Sequence, residues 1–310
     1  MIRLYMKNNY LSQETEIKLI NRFAPFLSAK SFLDVGAEKG AFSLIMLELG
    51  LTGVMFEPMP RHLPNLQKIT DSHKGASLYN YAITNIDKVQ SFNVAVDANG
   101  RELDFFHSLQ KADAPGIFTH NSSFEVECRS LENLVALGKV PSEIGILKID
   151  TEGNDLNVLR GLGSLRPQLV ICEYFAEGLY NGWPEGSPDL IIKYMSDLGY
   201  SMFISTKHIG DLEFIGLGTT LYQEKQWGNL FFFREDFYDN AKFAITESLM
   251  LNEKNLIEKF NKLNIELEEK EKVIQQLFLK TQGARTKILG KMKDGKRVFL
   301  SLFCKVNDEH

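Results

Sequence analysis

The sequence predicts an α/β protein on a doubly wound, mostly parallel sheet, followed by a C-terminal coiled-coil helix. Three observations carry that expectation. Short β-rich runs alternate with amphipathic stretches as far as about Arg234. Several of those runs lack polar alternation, as strands buried on both faces of a parallel sheet do. The alternation then gives way to a long charged segment with an apolar seam of heptad spacing.

Residues 1–30 read as a helical lead-in, and 31–236 as the α/β domain. FLDVG (32–36), GVMFEP (53–58), LYNYAIT (78–84), IGILKID (144–150) and LVICEY (169–174) are apolar, β-branched runs. Helical patterns fall between and after them at 41–49, 63–69, 131–137, 156–162 and 190–198, and this alternation builds a doubly wound sheet. SMFIST (201–206) and NLFFFR (229–234), separated by a loop, read as an antiparallel pair on one edge. Residues 90–128 interrupt the pattern with SFNVAVD, ELDFF and the polar loop KADAPGIFTHNSS. A long loop over such a sheet reads as a substrate lid.

From 237 to 282 the pattern changes. Leu256, Phe260, Leu263, Leu267, Lys270, Ile274 and Leu277 alternate by four and three, the seam of a coiled coil. Self-association into a homo-oligomer through 249–279 is expected, with a helix docked on the main domain as the alternative. The tail, 283–310, is basic and then apolar; it suits an anionic membrane surface, a glycan-assembly partner, or a solvated helix.

Composition narrows the function classes. The 310 residues are 44% hydrophobic and 11% aromatic, enough for a sizeable core, and 35 basic against 40 acidic residues leave no nucleic-acid surface. Cys128, Cys172 and Cys304 are far apart, with no CxxC spacing, so neither a disulfide framework nor a zinc site is indicated. MIRLYMKNNY has no apolar leader core and no run approaches eighteen apolar residues. A soluble, cytoplasmic chain is expected, with the tail as its one membrane-suited segment.

The stretch SFLDVGAEKGAF points to a ligand. Gly36 and Gly40 follow a buried strand, and open α/β sheets bind ligands beyond the carboxyl ends of their strands. A dinucleotide needs GxGxxG; here Glu38 holds the third position and no glycine the sixth, and a glutamate there repels a pyrophosphate. S-adenosylmethionine has no phosphate, only an ammonium and a carboxylate at its methionine end. Asp34 can face the ammonium while loop N–H groups face the carboxylate. Glu57, about twenty residues past the loop, can accept from both ribose hydroxyls. The plainer alternative makes Asp34 a turn cap and Glu57 surface charge.

DVGAEKGAFS, FEPMPRHLPNL, NYAIT, SLENLV and above all LKIDTEGNDLNVLRGL resemble, in order and spacing, the motifs of the FkbM-type methyltransferases over roughly residues 32–174. The resemblance implies a Rossmann-like class I methyltransferase that uses S-adenosylmethionine, typically on a hydroxyl of a sugar or other small substrate. By motif it assigns Asp34, Gly36 and Gly40, with Ala37 between them, to the cofactor loop, Glu57 to the ribose, and Ala82 to the adenine. The family usually carries Asn where this chain has Glu38, a residue that would serve as helix N-cap close to the cofactor's own carboxylate.

ILKIDTEG ends a strand and precedes a helix, so Asp150 and Glu152 should stand over the sheet's carboxyl edge, with Lys148 on the same strand face as Asp150. Methyl transfer to a hydroxyl needs an aligned nucleophile and a place for its proton. Asp150 is the first candidate base and Glu152 the second; Glu173, at the end of VICEY, could hold a substrate hydroxyl. Helix N-terminal charge is the competing account of Glu152 and Asp155. Three carboxylates could also hold a hard divalent cation, but with no HxH or HxxxH spacing no metal is expected. His107, His120 and Trp183 read as loop residues within reach of a substrate or as ordinary loop surface.

The expected function is therefore S-adenosylmethionine-dependent O-methylation of a carbohydrate or glycan intermediate. The alternative is a coiled-coil interaction protein with a degenerate methyltransferase domain, which Glu38 would favour. A nicotinamide oxidoreductase is weakened by the missing glycines.

Overall fold

A computed structural model describes residues 14–114, 116–175, 186–209, 212–218 and 227–281. The chain divides into two compact units, Met1–Lys254 and Asn255–His310. In chain order the elements are α1 (Glu14–Phe23), β1 (Ser31–Val35), α2 (Ala41–Glu48), β2 (Thr52–Phe56), α3 (Leu63–Ser72), β3 (Ala76–Tyr79), β4 (Ala82–Ile83), β5 (Lys88–Val96), β6 (Asp113–Ala114), β7 (Phe118–Arg129), α4 (Leu131–Ala136), β8 (Ile146–Ile149), α5 (Asp155–Arg160), β9 (Leu169–Phe175), α6 (Pro188–Asp197), β10 (Met202–Ile209), β11 (Leu212–Leu217), β12 (Trp227–Phe233) and α7 (Glu235–Thr281).

Eight strands form the main sheet in the order β11-β10-β12-β9-β8-β1-β2-β3. From β9 to β3 every pairing is parallel; β12 runs antiparallel between β9 and β10, and β11 antiparallel on the far edge. Alternate side chains of each central strand serve different cores. Leu33, Leu147 and Val170 pack with Leu134, Leu159 and Ile191 on one face. Phe32, Ile146 and Ile171 pack with Ile20, Phe23, Met46 and Phe237 on the other. A strand covered on both faces has no place for polar alternation, and each such side chain contributes about 1.5–3 kcal/mol by burial.

A second sheet follows the order β4-β7-β5, with β6 added to β7. It departs from the sequence expectation in two ways. LYNYAIT is not one strand: β3 closes the main sheet, while β4 pairs with β7 through Ala82 and Cys128. KADAPGIFTHNSS is not a polar loop: β6 and the first half of β7 come from it, and β7 pairs with β5 from Thr119 to Cys128. The period-2 signal was masked because one inward residue of β7 is a histidine, His120, buried beside Phe118.

The antiparallel pair near the end exists, but not as an edge. β12, buried from Gly228 to Phe233, inserts inside the sheet, and the edge falls to β11, in a stretch expected to be loop. The first compact unit runs to Lys254, and within it Phe237, Ala241 and Ile245 recur every four residues and remain buried. The sequence-predicted coiled coil maps onto α7, a single helix in this one chain. Trp183 and the tail 283–310 lie outside the described residues. Among the described residues, no helix is long and apolar enough to cross a membrane.

Candidate active site

β1, β2 and β8 end at one edge of the main sheet, and a cleft with about 650 Å³ of space opens there. The main sheet lines it with Gly36, Glu38, Glu57, Asp150 and Glu152. The second sheet and its loops line the other side with Phe92, Phe105, Phe106, His107 and Leu109.

The glycine loop is tied to the sheet. At Gly36, φ is +75° and a Cβ would lie 1.8 Å from the carbonyl oxygen of Asp150, so only glycine lets the loop pass the end of β8. The N–H groups of Gly36 and Ala37 both donate to Phe56 O at 3.0 and 3.1 Å, and that of Gly40 to Ala37 O at 2.7 Å. The N–H of Glu38 donates to Glu57 Oε2 at 2.7 Å. Four of the loop donors expected to face a cofactor carboxylate are thus already engaged. Gly40, not Glu38, is the N-cap of α2. Neither Gly40 nor Ala37 lines the cleft; Ala37 packs with Met55, Leu66 and Ile69.

Asp34 is likewise beneath the cleft rather than in it. It is 0% exposed; its Oδ2 accepts from Ser43 Oγ at 2.6 Å, and its Oδ1 lies 3.4 Å from Lys148 Nζ. The ammonium that faces Asp34 in this structure is the protein's own. Parallel register makes the pair, since Asp34 of β1 and Lys148 of β8 are direct neighbours. Lys148 Nζ also lies 3.3 Å from Asp150 Oδ2 and donates to Gly36 O at 3.1 Å. Burial opposes its charge, yet Asp150 and Asp34 hold it above the ordinary lysine range. Burial pushes the Asp34 carboxyl up against the pull of Lys148.

Glu57 does line the cleft. It is 5% exposed, and its oxygens accept from the N–H groups of Glu38 and Met59, at 2.7 and 2.8 Å, leaving lone pairs on both. Ala82, at the start of β4, lines the same space. The expected convergence of Gly36, Glu57 and Ala82 on one cleft therefore occurs, without Asp34, Ala37 or Gly40.

At the end of β8, one oxygen each of Asp150, Glu152 and Glu173 lie within 4.8 Å of one another. That spacing could hold a hard divalent cation or share a proton. Burial, reinforced by the charge of Asp150, pushes the Glu152 carboxyl well up from its ordinary value. Burial and the charges of Asp150, Glu152 and Asp155 do the same to Glu173, whose Oε2 has no hydrogen-bond partner. Glu173 stands behind the cleft wall, not in it. Asp155 is more than helix-terminal charge: it accepts from Thr151 Oγ1 at 2.6 Å and from the N–H of Glu173 at 3.0 Å, clamping the loop after β8 to β9. Burial raises its pKa to about 6 despite those bonds.

His107 and His120 are neither loop surface nor free to meet a substrate. Each accepts a backbone N–H at Nδ1, from Ala95 and Ala112 respectively, both at 3.0 Å, which places the ring proton on Nε2. Those nitrogens then donate to Leu103 O at 2.8 Å and Phe106 O at 2.7 Å. Burial pushes His107 down to about 4.

Two features of the site had no sequence signal. Glu38, Phe106 and Glu152, with φ of +50°, +68° and +53°, are the non-glycine residues with positive φ among those described, and all three line the cleft. Such a backbone costs of order 1–3 kcal/mol per residue and persists where surroundings impose it. Here the N–H of Phe106 donates to Glu152 Oε1 at 3.2 Å, joining the second sheet to the carboxylates. The other is His62, buried at the entry to α3, within FEPMPRHL.

Fold and site together define a Rossmann-like α/β protein whose ligand cleft lies beyond the carboxyl ends of its parallel strands. The Methyltransferase FkbM domain model matches residues 34–202, more than half of the chain. The chain belongs to that methyltransferase family.

No curated protein sequence matches it. Among solved structures, the bifunctional kinase-methyltransferase WbdD is 12% identical, with 72% of this chain and 40% of that chain covered and a TM-score of 0.38. This chain thus spans about two-fifths of WbdD's length. Precorrin-6Y C5,15-methyltransferase from Geobacter metallireducens GS-15 is 9% identical over 74% and 92% of the chains, at a TM-score of 0.39. An rRNA methylase from Streptococcus thermophilus is 9% identical over 69% and 92%, at 0.37. The family assignment rests on the domain match, not on these loose likenesses.

Proposed function

We propose that this methyltransferase uses S-adenosylmethionine to methylate a hydroxyl of a carbohydrate or glycan intermediate. The carrying observation is one cleft faced by Glu57 at the end of β2 and by Glu152 at the end of β8. The residues fit the cofactor: Glu57 keeps lone pairs for ribose hydroxyls, and a carboxylate-rich wall suits a ligand with sulfonium and ammonium charges. When bound, the cofactor supplies an electrophilic methyl group.

The chain's own residues do the rest. Glu57 holds the ribose and Ala82 borders the adenine. Glu152 accepts the proton of the acceptor hydroxyl, a role suited to a carboxyl whose proton affinity is raised by burial and by Asp150. Lys148 holds Asp150 in place by an ion pair. Phe105, half-exposed at the mouth of the cleft, offers an apolar ring face to the C–H face of a sugar. The second sheet and its loops form the facing wall of the cleft.

Isothermal titration with S-adenosylhomocysteine tests the cofactor. Micromolar binding by the wild type is expected, and Glu57→Ala should weaken it by about 1.5–3 kcal/mol for each lost hydrogen bond to charge. Unchanged affinity would discard the ribose assignment. A screen of neutral glycans for an alkali-stable methyl ether tests the acceptor; methylation found only on nitrogen would discard O-transfer.

The same reading pairs a second copy of the chain through α7, where Ile257, Phe260, Leu263 and Leu267 are exposed. Light scattering should find an oligomer for the full chain and a monomer for a chain ending at Lys254. Equal masses would refute the pairing.

A further inference from the structure

One buried ring of the cleft has no hydrogen-bond partner. His62 is 4% exposed and lines the cleft, yet neither of its ring nitrogens makes a hydrogen bond. His107 and His120, nearly as buried, use both of theirs. Leaving a buried polar group unpaired is costly, and in native proteins such groups are almost always satisfied. The backbone fixes the residue: its N–H donates to Met59 O at 3.0 Å, and its carbonyl accepts from the N–H groups of Asn65 and Leu66.

What the ring faces identifies the missing partner. Nδ1 lies 3.6 Å from Glu57 Oε1, too long for a hydrogen bond and short enough for one oxygen to bridge both groups. The bridging atom must give a proton to a carboxylate and take one from an imidazole, which a hydroxyl does.

We propose that His62 completes a hydroxyl-reading pair with Glu57: Glu57 accepts from a ribose hydroxyl of the cofactor, and His62 donates to that same oxygen. This rests on the cofactor reading above. The pair selects for a free hydroxyl. A deoxyribose offers nothing to either group, and a phosphorylated ribose would meet the Glu57 charge. His62 is thus a specificity-determining residue for the cofactor, remote from the methyl group.

Calorimetry with S-adenosylhomocysteine and its 2′-deoxy and 3′-deoxy analogues tests this, with circular dichroism checking the fold of each variant. The wild type should bind one deoxy analogue about tenfold or more weakly, the loss of two hydrogen bonds, one of them to charge. His62→Phe, which keeps the ring volume, should lose about tenfold for S-adenosylhomocysteine and little further for that analogue. His62→Asn, which keeps a donor, should recover part of the loss. Wild-type binding that ignores both deoxy changes overturns the proposal whether or not the variants fold. A His62→Phe chain that binds like wild type, or that keeps the full deoxy penalty, also overturns it. A wild type that binds none of these ligands fells the cofactor reading itself, and this proposal with it.

Discussion

The eight-stranded and four-stranded sheets meet at one cleft and bring different things to it. Strand ends of the larger sheet bring charge: Glu57, Asp150 and Glu152, set in place by parallel register and by a glycine that lets β1 pass β8. The smaller sheet brings rings and backbone: Phe92, Phe105, Phe106 and Leu109, held by His107 and His120 as internal struts. Chemistry and cover are thus built on separate scaffolds. Changes in the smaller sheet can reshape one side of the cleft while leaving the carboxylate edge intact.

The largest test of that division is Glu152→Gln. It should lower turnover by about 10²–10⁴ while S-adenosylhomocysteine binds as before; a near-normal rate would remove Glu152 from that role and leave Asp150, on the same edge, as the candidate base. Glycines come next, because Gly36 and Gly100 share φ +75° and differ only in surroundings. Gly36→Ala adds a Cβ collision with the backbone of Asp150 to the conformational cost and should destabilise by about 3 kcal/mol or more. Gly100→Ala, with nothing within 4 Å, should cost only about 1 kcal/mol. Chemical denaturation reads both, and equal losses would erase the contrast.

Acid should act in opposite directions on the two sheets. His107 falls from 6.5 to about 4 in the folded chain, so the unfolded chain takes its proton first and stability is lost as pH drops from about 6.5 to 4. Asp155 rises from 3.8 to about 6, so its folded-state cost at neutral pH is relieved over roughly the same window. His107→Gln should flatten the acid loss by about 2 kcal/mol, allowing for its incomplete burial. Denaturation midpoints between pH 7 and 4 check this, and identical slopes for variant and wild type would contradict it.

The larger sheet was the more legible in sequence, for a physical reason. Doubly buried strands must be continuous apolar runs, and carboxylates at the sheet's edge must sit where those runs stop, so the positions of Glu57, Asp150 and Glu152 on the cleft were legible without coordinates. Asp34 fits the same pattern, yet it lies beneath the cleft against Lys148, a partner distant in sequence that only parallel pairing brings beside it. In the smaller sheet a buried histidine, His120, stands where an apolar residue would announce a strand, and the first half of β7 reads as loop in sequence. No residue type announces left-handed backbone at Glu38, Phe106 and Glu152. The absence of partners around His62 is a property of its neighbours and not of any motif.

β12 occupies the place between β9 and β10 although it is the last strand made. On the ribosome, β9 must wait for residues 176–226 to be synthesised before Trp227–Phe233 can pair with Leu169–Phe175, several seconds at roughly 5–20 residues per second. For that interval β9 offers an open, apolar edge, the kind that recruits foreign strands. Translation halted in this window would release a chain with its keystone missing. Slower passage through 176–226 would lengthen the time that edge stays unpaired.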